Sequence, residues 1–132
     1  SGRLSTPTPY TNSSLNTADS DTFDGNMLPG TSCTDAPIQI DGKDTWLLNQ
    51  LGDGFTILSF GPSKQVQVGN VMAKVLTVGK DIDDIQGLVK LRYDGKPGTV
   101  YLIRPDQHIA ARWREFDSNA VEKAMQRALK LN

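Results

Sequence analysis

Two near-continuous apolar runs stand out along the chain: Phe55 to Phe60 (Phe-Thr-Ile-Leu-Ser-Phe) and Val75 to Val78, closed by Gly61-Pro62-Ser63 and Gly79 respectively. Runs of this kind predict strands buried on both faces of a sheet. Ahead of them, Ile38-Gln39-Ile40 followed by Asp41-Gly42 predicts a short strand closing in a tight turn. Asp44 is placed to cap a short helix, Thr45 to Leu51, with Gly52 as its stop. Between the two runs, Val66, Val68 and Val71 fit either a strand or a distorted helix. After Gly79, Ile82, Ile85, Leu88 and Val89 fall at helical spacing behind Asp81, Asp83 and Asp84, whose charges complement a helix N-terminus. Asp94-Gly95 and Lys96-Pro97-Gly98 end that helix. Val100 to Ile103 then meets a Pro105-Asp106 turn and returns through Ile109 to Trp113, a β-hairpin signature. A closing helix runs from about Asn119 to Leu131, with Val121, Ala124, Met125, Ala128 and Leu129 on one face.

Residues 1–36 have a different texture. They are rich in Ser, Thr, Asn, Asp, Pro and Gly, and their isolated large residues, Tyr10, Leu15, Phe23, Met27 and Leu28, follow no period. The segment is longer than an ordinary loop, which favours an extended polar leader or linker over residues 1–36 and a folded body over 37–132. The body's order is strand, helix, central strand, variable connection, strand, helix, hairpin, helix. It predicts an α/β fold: a thioredoxin-like sandwich with a central mixed sheet flanked by helices, preceded by an extended N-terminal arm.

The length of 132 residues fits one domain with a real core. A formal charge of -1 argues against nucleic acid as a partner, since phosphate binding needs a concentrated basic surface. That charge is unevenly spread. Residues 1–35 hold one Arg and four Asp, whereas residues 104–132 hold six basic and four acidic side chains. The leader could pack on the C-terminal part through these opposite signs, but a solvated surface is the simpler explanation. No apolar run approaches the roughly 20 residues that span a bilayer. The first thirty residues lack the apolar core of a secretory signal, so the expected setting is cytoplasmic, away from membranes.

A redox protein of this fold carries its cysteine after the first central strand, where a helix N-terminus stabilises the thiolate. Here that position is Gly61-Pro62-Ser63-Lys64, without a cysteine, so neither Cys-x-x-Cys exchange nor peroxide reduction can occur there. Cys33 is the only cysteine, which excludes an intrachain disulfide. It reads as a small residue tucked under the leader, because no basic neighbour in sequence lowers its pKa; the alternative is an exposed reactive thiol. His108, the sole histidine, lies on the predicted hairpin turn with Arg104 and Asp106, and is expected to face solvent. Arg112 and Arg114 share one strand face opposite Trp113. Arg104, Asp106, His108 and Arg112 are therefore the candidate ligand or interface residues, while no catalytic, cofactor-binding or metal-binding residue is identified. Asp81, Asp83 and Asp84 lack the alternating ligands and terminal Glu of a calcium loop. Gly52-Asp53-Gly54 precedes a strand, where a dinucleotide fingerprint would follow one.

Taken together, the segments resemble the C-terminal domain of the FAD-dependent aromatic hydroxylases, the group that includes phenol, phenylpropionate and polyketide hydroxylases. The resemblance covers roughly residues 10 to 131. It rests on Leu28-Pro29-Gly30 through Ala36-Pro37, on Leu51-Gly52-Asp53-Gly54-Phe55-Thr56-Ile57-Leu58, on the hairpin Tyr101 to Trp113, and on the closing helix. The hairpin, Tyr-Leu-Ile-Arg-Pro-Asp-Gln-His-Ile-Ala-Ala-Arg-Trp, is the most specific of these. The resemblance implies a thioredoxin-like domain without the redox cysteines, non-catalytic by itself. It also implies that FAD and NAD(P)H belong to a larger upstream domain, on which this one packs or beside which it forms a subunit interface. A free-standing thioredoxin-like binding module is the alternative.

Overall fold

In the computed structural model, which describes residues 14–130, the Phe55–Phe60 run supplies the middle of a five-stranded sheet. Its strands are β3 (Thr56–Ser59), β4 (Val66–Val68), β5 (Val71–Thr77), β6 (Val100–Ile103) and β7 (Ile109–Trp113). They lie in the order β4-β5-β3-β6-β7. Only β3 and β5 run parallel, and the other neighbours are antiparallel, so the sheet is mixed as expected. Every residue of β3 and β6 is buried, which is why these segments read as unbroken apolar runs. A second, two-stranded sheet pairs β1 (Pro37–Ile40) with β2 (Lys43–Trp46). The helices are α1 (Leu88–Arg92) and α2 (Ser118–Ala128).

Side-chain alternation divides the core into two layers. Leu58, Tyr101, Ile103 and Ile109 point to one side, where Ile38, Leu47, Ile82, Val89 and Tyr93 cover them. Ile57, Val100, Leu102 and Trp113 point to the other, against Val121, Ala124 and Met125 of α2. A bulge between Leu102 and Ile103 places both Ala110 and Ala111 beneath α2 and returns Arg112 to the Tyr101 side. Gly95 lets the backbone close over Phe60, since a Cβ there would lie 2.3 Å from the ring.

Two expected elements differ, and one left open is settled. Residues 43–46 form β2, so Asp44 caps no helix and instead accepts a hydrogen bond from Gln39 Nε2 at 2.8 Å. Only Leu47–Gln50 turns, as a 3-10 helix, and Asp35 Oδ1 accepts from Leu48 N at 3.0 Å. Within the ambiguous segment 64–72, Val66–Val68 is strand β4, which pairs antiparallel with the start of β5 at Val71–Ala73. The helix expected from Ile82 is confined to Leu88–Arg92, because Gly87 sits at φ 69° and Asp84 accepts from Val89 N and Lys90 N, each at 2.9 Å. Ile82 is buried all the same, whereas Ile85 is 45% exposed. The hairpin and α2 form as expected, and Asp117 caps α2 through Asn119 N. Tyr10 and Leu131 lie outside the described residues.

Candidate functional site

The hairpin's candidate residues gather where the N-terminal arm crosses it. Backbone hydrogen bonds run from Thr17 N to Ala110 O, from Gly30 N to Ile109 O, from Ile109 N to Thr31 O and from Cys33 N to Gln107 O. The arm thereby covers the outer edge of β7, an edge that would otherwise present unpaired backbone groups. Residues 14–36 contribute buried Asn16, Met27, Cys33 and Ala36, so this part of the arm completes the body.

Arg112 is 3% exposed and takes its partner from the arm. Its Nε donates to Asp19 Oδ1 at 3.0 Å and its Nη2 to Asp19 Oδ2 at 2.8 Å, a forked pair across 93 residues of sequence. Burial works against the Arg112 charge, but the Asp19 carboxylate more than offsets it and holds the pKa above the ordinary guanidinium value. Nη1 is buried without a hydrogen-bond partner, and the Tyr101 side chain is a further neighbour that favours the charged guanidinium. Arg114 donates from Nε to Thr22 O at 3.0 Å and from Nη1 to Asp94 O at 2.7 Å, and pairs with the Asp94 carboxylate. The Phe23 ring lies between the two guanidinium groups, 4.3 Å from Arg112 Cζ and 3.8 Å from Arg114 Cζ. The acid-rich arm and the base-rich C-terminal part are thus in direct contact, and the simpler expectation of a solvated cationic face does not hold. Asp94 also accepts from Asp24 N at 2.8 Å, and that bond, ahead of the Arg114 pair, holds its carboxyl below the usual range.

At the hairpin turn, Arg104 closes on Asp106, donating from Nε at 3.1 Å and through a second, shorter contact from Nη2. Partial burial works to raise the Asp106 pKa, but the Arg104 hydrogen bonds and charge prevail and lower it. Arg104 Nη1 reaches Asn16 Oδ1 at 3.4 Å, a further tie to the arm. His108 Nδ1 donates to Asp106 O at 3.1 Å, which leaves Nε2 facing Ser32 Oγ at 3.4 Å. Ser32 and His108 are bridge partners, so the histidine faces the arm more than bulk solvent, with a side chain only 22% exposed.

Cys33 lies beneath this junction, 7% exposed. Burial pushes its thiol up to about 12, a shift that a hydrogen bond with Tyr93 moderates and the Asp106 charge reinforces. A thiol so placed is a poor nucleophile at neutral pH. Tyr93 donates its hydroxyl to Thr34 O and Tyr101 donates to Tyr93 O, with the two rings edge to face at 5.2 Å. The structure therefore brings Arg104, Asp106, His108, Arg112 and Cys33 into one neighbourhood. Asp19, Phe23, Ser32, Asp94 and Arg114 complete it, and the only sequence signal for the arm's share was the opposite charge of the two ends.

The segment after β3, the position expected for a redox cysteine, holds Ser63. Ser63 Oγ lies 2.7 Å from Ser59 Oγ, and the chain continues from there into strand β4. The element that follows Ser63 is a strand rather than a helix, and the position carries no thiol. Among the described residues, no group of three or more His, Cys, Asp or Glu side chains is arranged to hold a metal, and no helix is long and apolar enough to cross a membrane.

No protein-family profile matches this sequence, nor does any curated protein. Solved structures do match. Aklavinone-11 hydroxylase, in a ternary complex with FAD and aklavinone, aligns with a TM-score of 0.71 at 21% identity over 89% of this chain and 25% of its own. The flavin-dependent monooxygenase PieE, in complex with FAD and substrate, gives 0.65 at 21% identity over 88% of this chain and 23% of its own. The substrate-free rebeccamycin biosynthetic enzyme RebC gives 0.63 at 19% identity over 91% of this chain and 22% of its own. What these likenesses show is the fold: nearly all of this chain takes up the same α/β arrangement as one quarter or less of the length of each of these enzymes.

Proposed function

We propose that this chain is a non-catalytic accessory domain of an FAD-dependent aromatic-compound monooxygenase, packing on the catalytic part or forming a subunit interface. The observation that carries the reading is the pairing of near-complete coverage of this chain with coverage of only 22 to 25% of flavin-dependent enzymes. The hairpin wording, Arg104 to Trp113, supports it independently. The fold is then a thioredoxin-like one in which strand β4 replaces the helix that would activate a cysteine. In this reading FAD and NAD(P)H are bound by the absent larger part, the protein works in the cytoplasm, and Arg104, Asp106, His108 and Arg112 hold the arm in place. A titration of the purified 132 residues with FAD tests it, with no saturable binding expected. Tight, stoichiometric binding with quenching of flavin fluorescence would overturn the assignment. A free-standing thioredoxin-like binding module without redox activity is the second reading, favoured by the core that the chain completes from its own arm.

A further inference from the structure

Trp113 is 8% exposed, and the little it shows lines two adjoining hollows beside α2. The first, about 450 Å³, lies between Thr17 of the arm and the α2 face that carries Ala120, Lys123, Ala124 and Arg127. The second, about 400 Å³, shares Trp113 and Ala120 with it and is lined by Asp21, Glu115 and Asp117. Hollows of about 300–1,000 Å³ are the size that holds small ligands. The indole N–H of Trp113 has no acceptor among the described residues, yet it is not one of the buried orphaned atoms, Thr56 Oγ1 and Arg112 Nη1. It therefore reaches solvent, through the hollows that the ring lines. Lys123 and Arg127 are the charged side chains of the first hollow, and among the described residues neither forms an ion pair or a hydrogen bond. They lie four residues apart on α2, with no carboxylate three or four positions from either. Like charges at that spacing repel. Arg127, in the last turn, gains from the helix dipole, but Lys123 lies too far from the end to share that gain.

We propose that the first hollow binds a small organic carboxylate, its acid group between Lys123 and Arg127 and its apolar body on Ala120, Ala124 and Trp113. An anion there relieves the repulsion between the two cations and gains charge-assisted hydrogen bonds from both. The Trp113 indole N–H adds a neutral donor at the floor, and the ring and the two alanines supply apolar contact. The second hollow fixes which side the acid group takes. Asp21 and Asp117 already accept from Arg114 N and Asn119 N, and together with Glu115 they repel an anion. The inference goes beyond the accessory-domain reading and does not depend on it.

The test is a titration of the 15N-labelled 132-residue chain with benzoate, followed by NMR at the indole N–H signals of its two tryptophans. Trp46, 51% exposed and away from the hollow, is the internal control, and Trp46→Phe assigns the Trp113 signal. The expected result is a saturable shift of the Trp113 signal with the Trp46 signal unmoved. Lys123 and Arg127 are exposed, so the double variant Lys123→Gln/Arg127→Gln keeps the core intact, which an unchanged urea midpoint verifies. Its affinity for benzoate should fall about tenfold or more. Benzyl alcohol, which keeps the ring and lacks the charge, should bind correspondingly weakly. A Trp113 signal that does not move, or that drifts in step with Trp46 without saturating, would overturn the site. Equal affinity in the double variant, or for benzyl alcohol, would show an apolar hollow without anion recognition, and that too overturns the proposal.

Discussion

Trp113 is 8% exposed and sits with Val100, Val121 and Ala124 between the sheet and α2. Its replacement by Ala removes the largest side chain of that layer, and a loss of about 3–5 kcal/mol is expected, read as a fall in the urea midpoint. An unchanged midpoint would show that the ring is not structural. Cys33 behaves differently, because its chemistry is suppressed rather than used. With its thiol pushed up to about 12, it should resist a disulfide reagent at about pH 8 in the native state and react in full only in denaturant. Rapid native-state modification would contradict the buried placement. Sequence anticipated the small, covered cysteine, since nothing cationic stood beside it. It could not anticipate Tyr93, sixty residues away, as the group that covers it.

Elements that repeat one physical signal were legible, and those that depend on a single residue or a distant partner were not. β3 and the β6–β7 hairpin read correctly because burial on both faces leaves an unbroken apolar record. Thr45 and Trp46 were misread as the start of a helix, because the mostly exposed Lys43-Asp44-Thr45-Trp46 carries no period; pairing with β1 makes them strand. Ile82 and Ile85 mimic a helical stripe, but Gly87 in the left-handed region and the Asp84 cap start the helix later. The arm was the least legible, since its bonds to Arg112 and Arg114 span more than ninety residues.

That attachment predicts an acid response. Asp24 N–H and then Arg114 hold the Asp94 carboxyl below its ordinary 3.8, so the stability it contributes is complete above the unfolded value and is lost as pH falls through the folded one. Between about pH 6 and about pH 2, Asp94→Asn should therefore lose less stability than the parent chain; equal losses would show that Asp94 is not a source of the acid sensitivity. β4 predicts a second result. Ser63→Cys introduces a thiol at the position a redox protein would use, but it is followed by strand β4 rather than by a helix, and its pKa should stay at about 8.5. A pKa below about 6.5, measured by thiolate absorbance against pH, would reveal a thiolate-stabilising field that the strand does not provide.

At the scale of the whole molecule, one α/β body is closed on two sides by different elements of its own chain. The sheet and α2 complete one layer between them, and the arm closes the hairpin edge through Asp19, Phe23 and the two arginines. The arm's bonds to β7 and its ion pair to Arg112 make it part of the folded body. The likeness to a fraction of several flavin-dependent enzymes is one of fold. The most direct test is the intact mass and visible spectrum of the native gene product purified from its source cells. The account predicts a polypeptide several times longer than 132 residues that carries the absorbance of bound flavin. A colourless native product of about 14.4 kDa would contradict it and leave the free-standing binding module in its place.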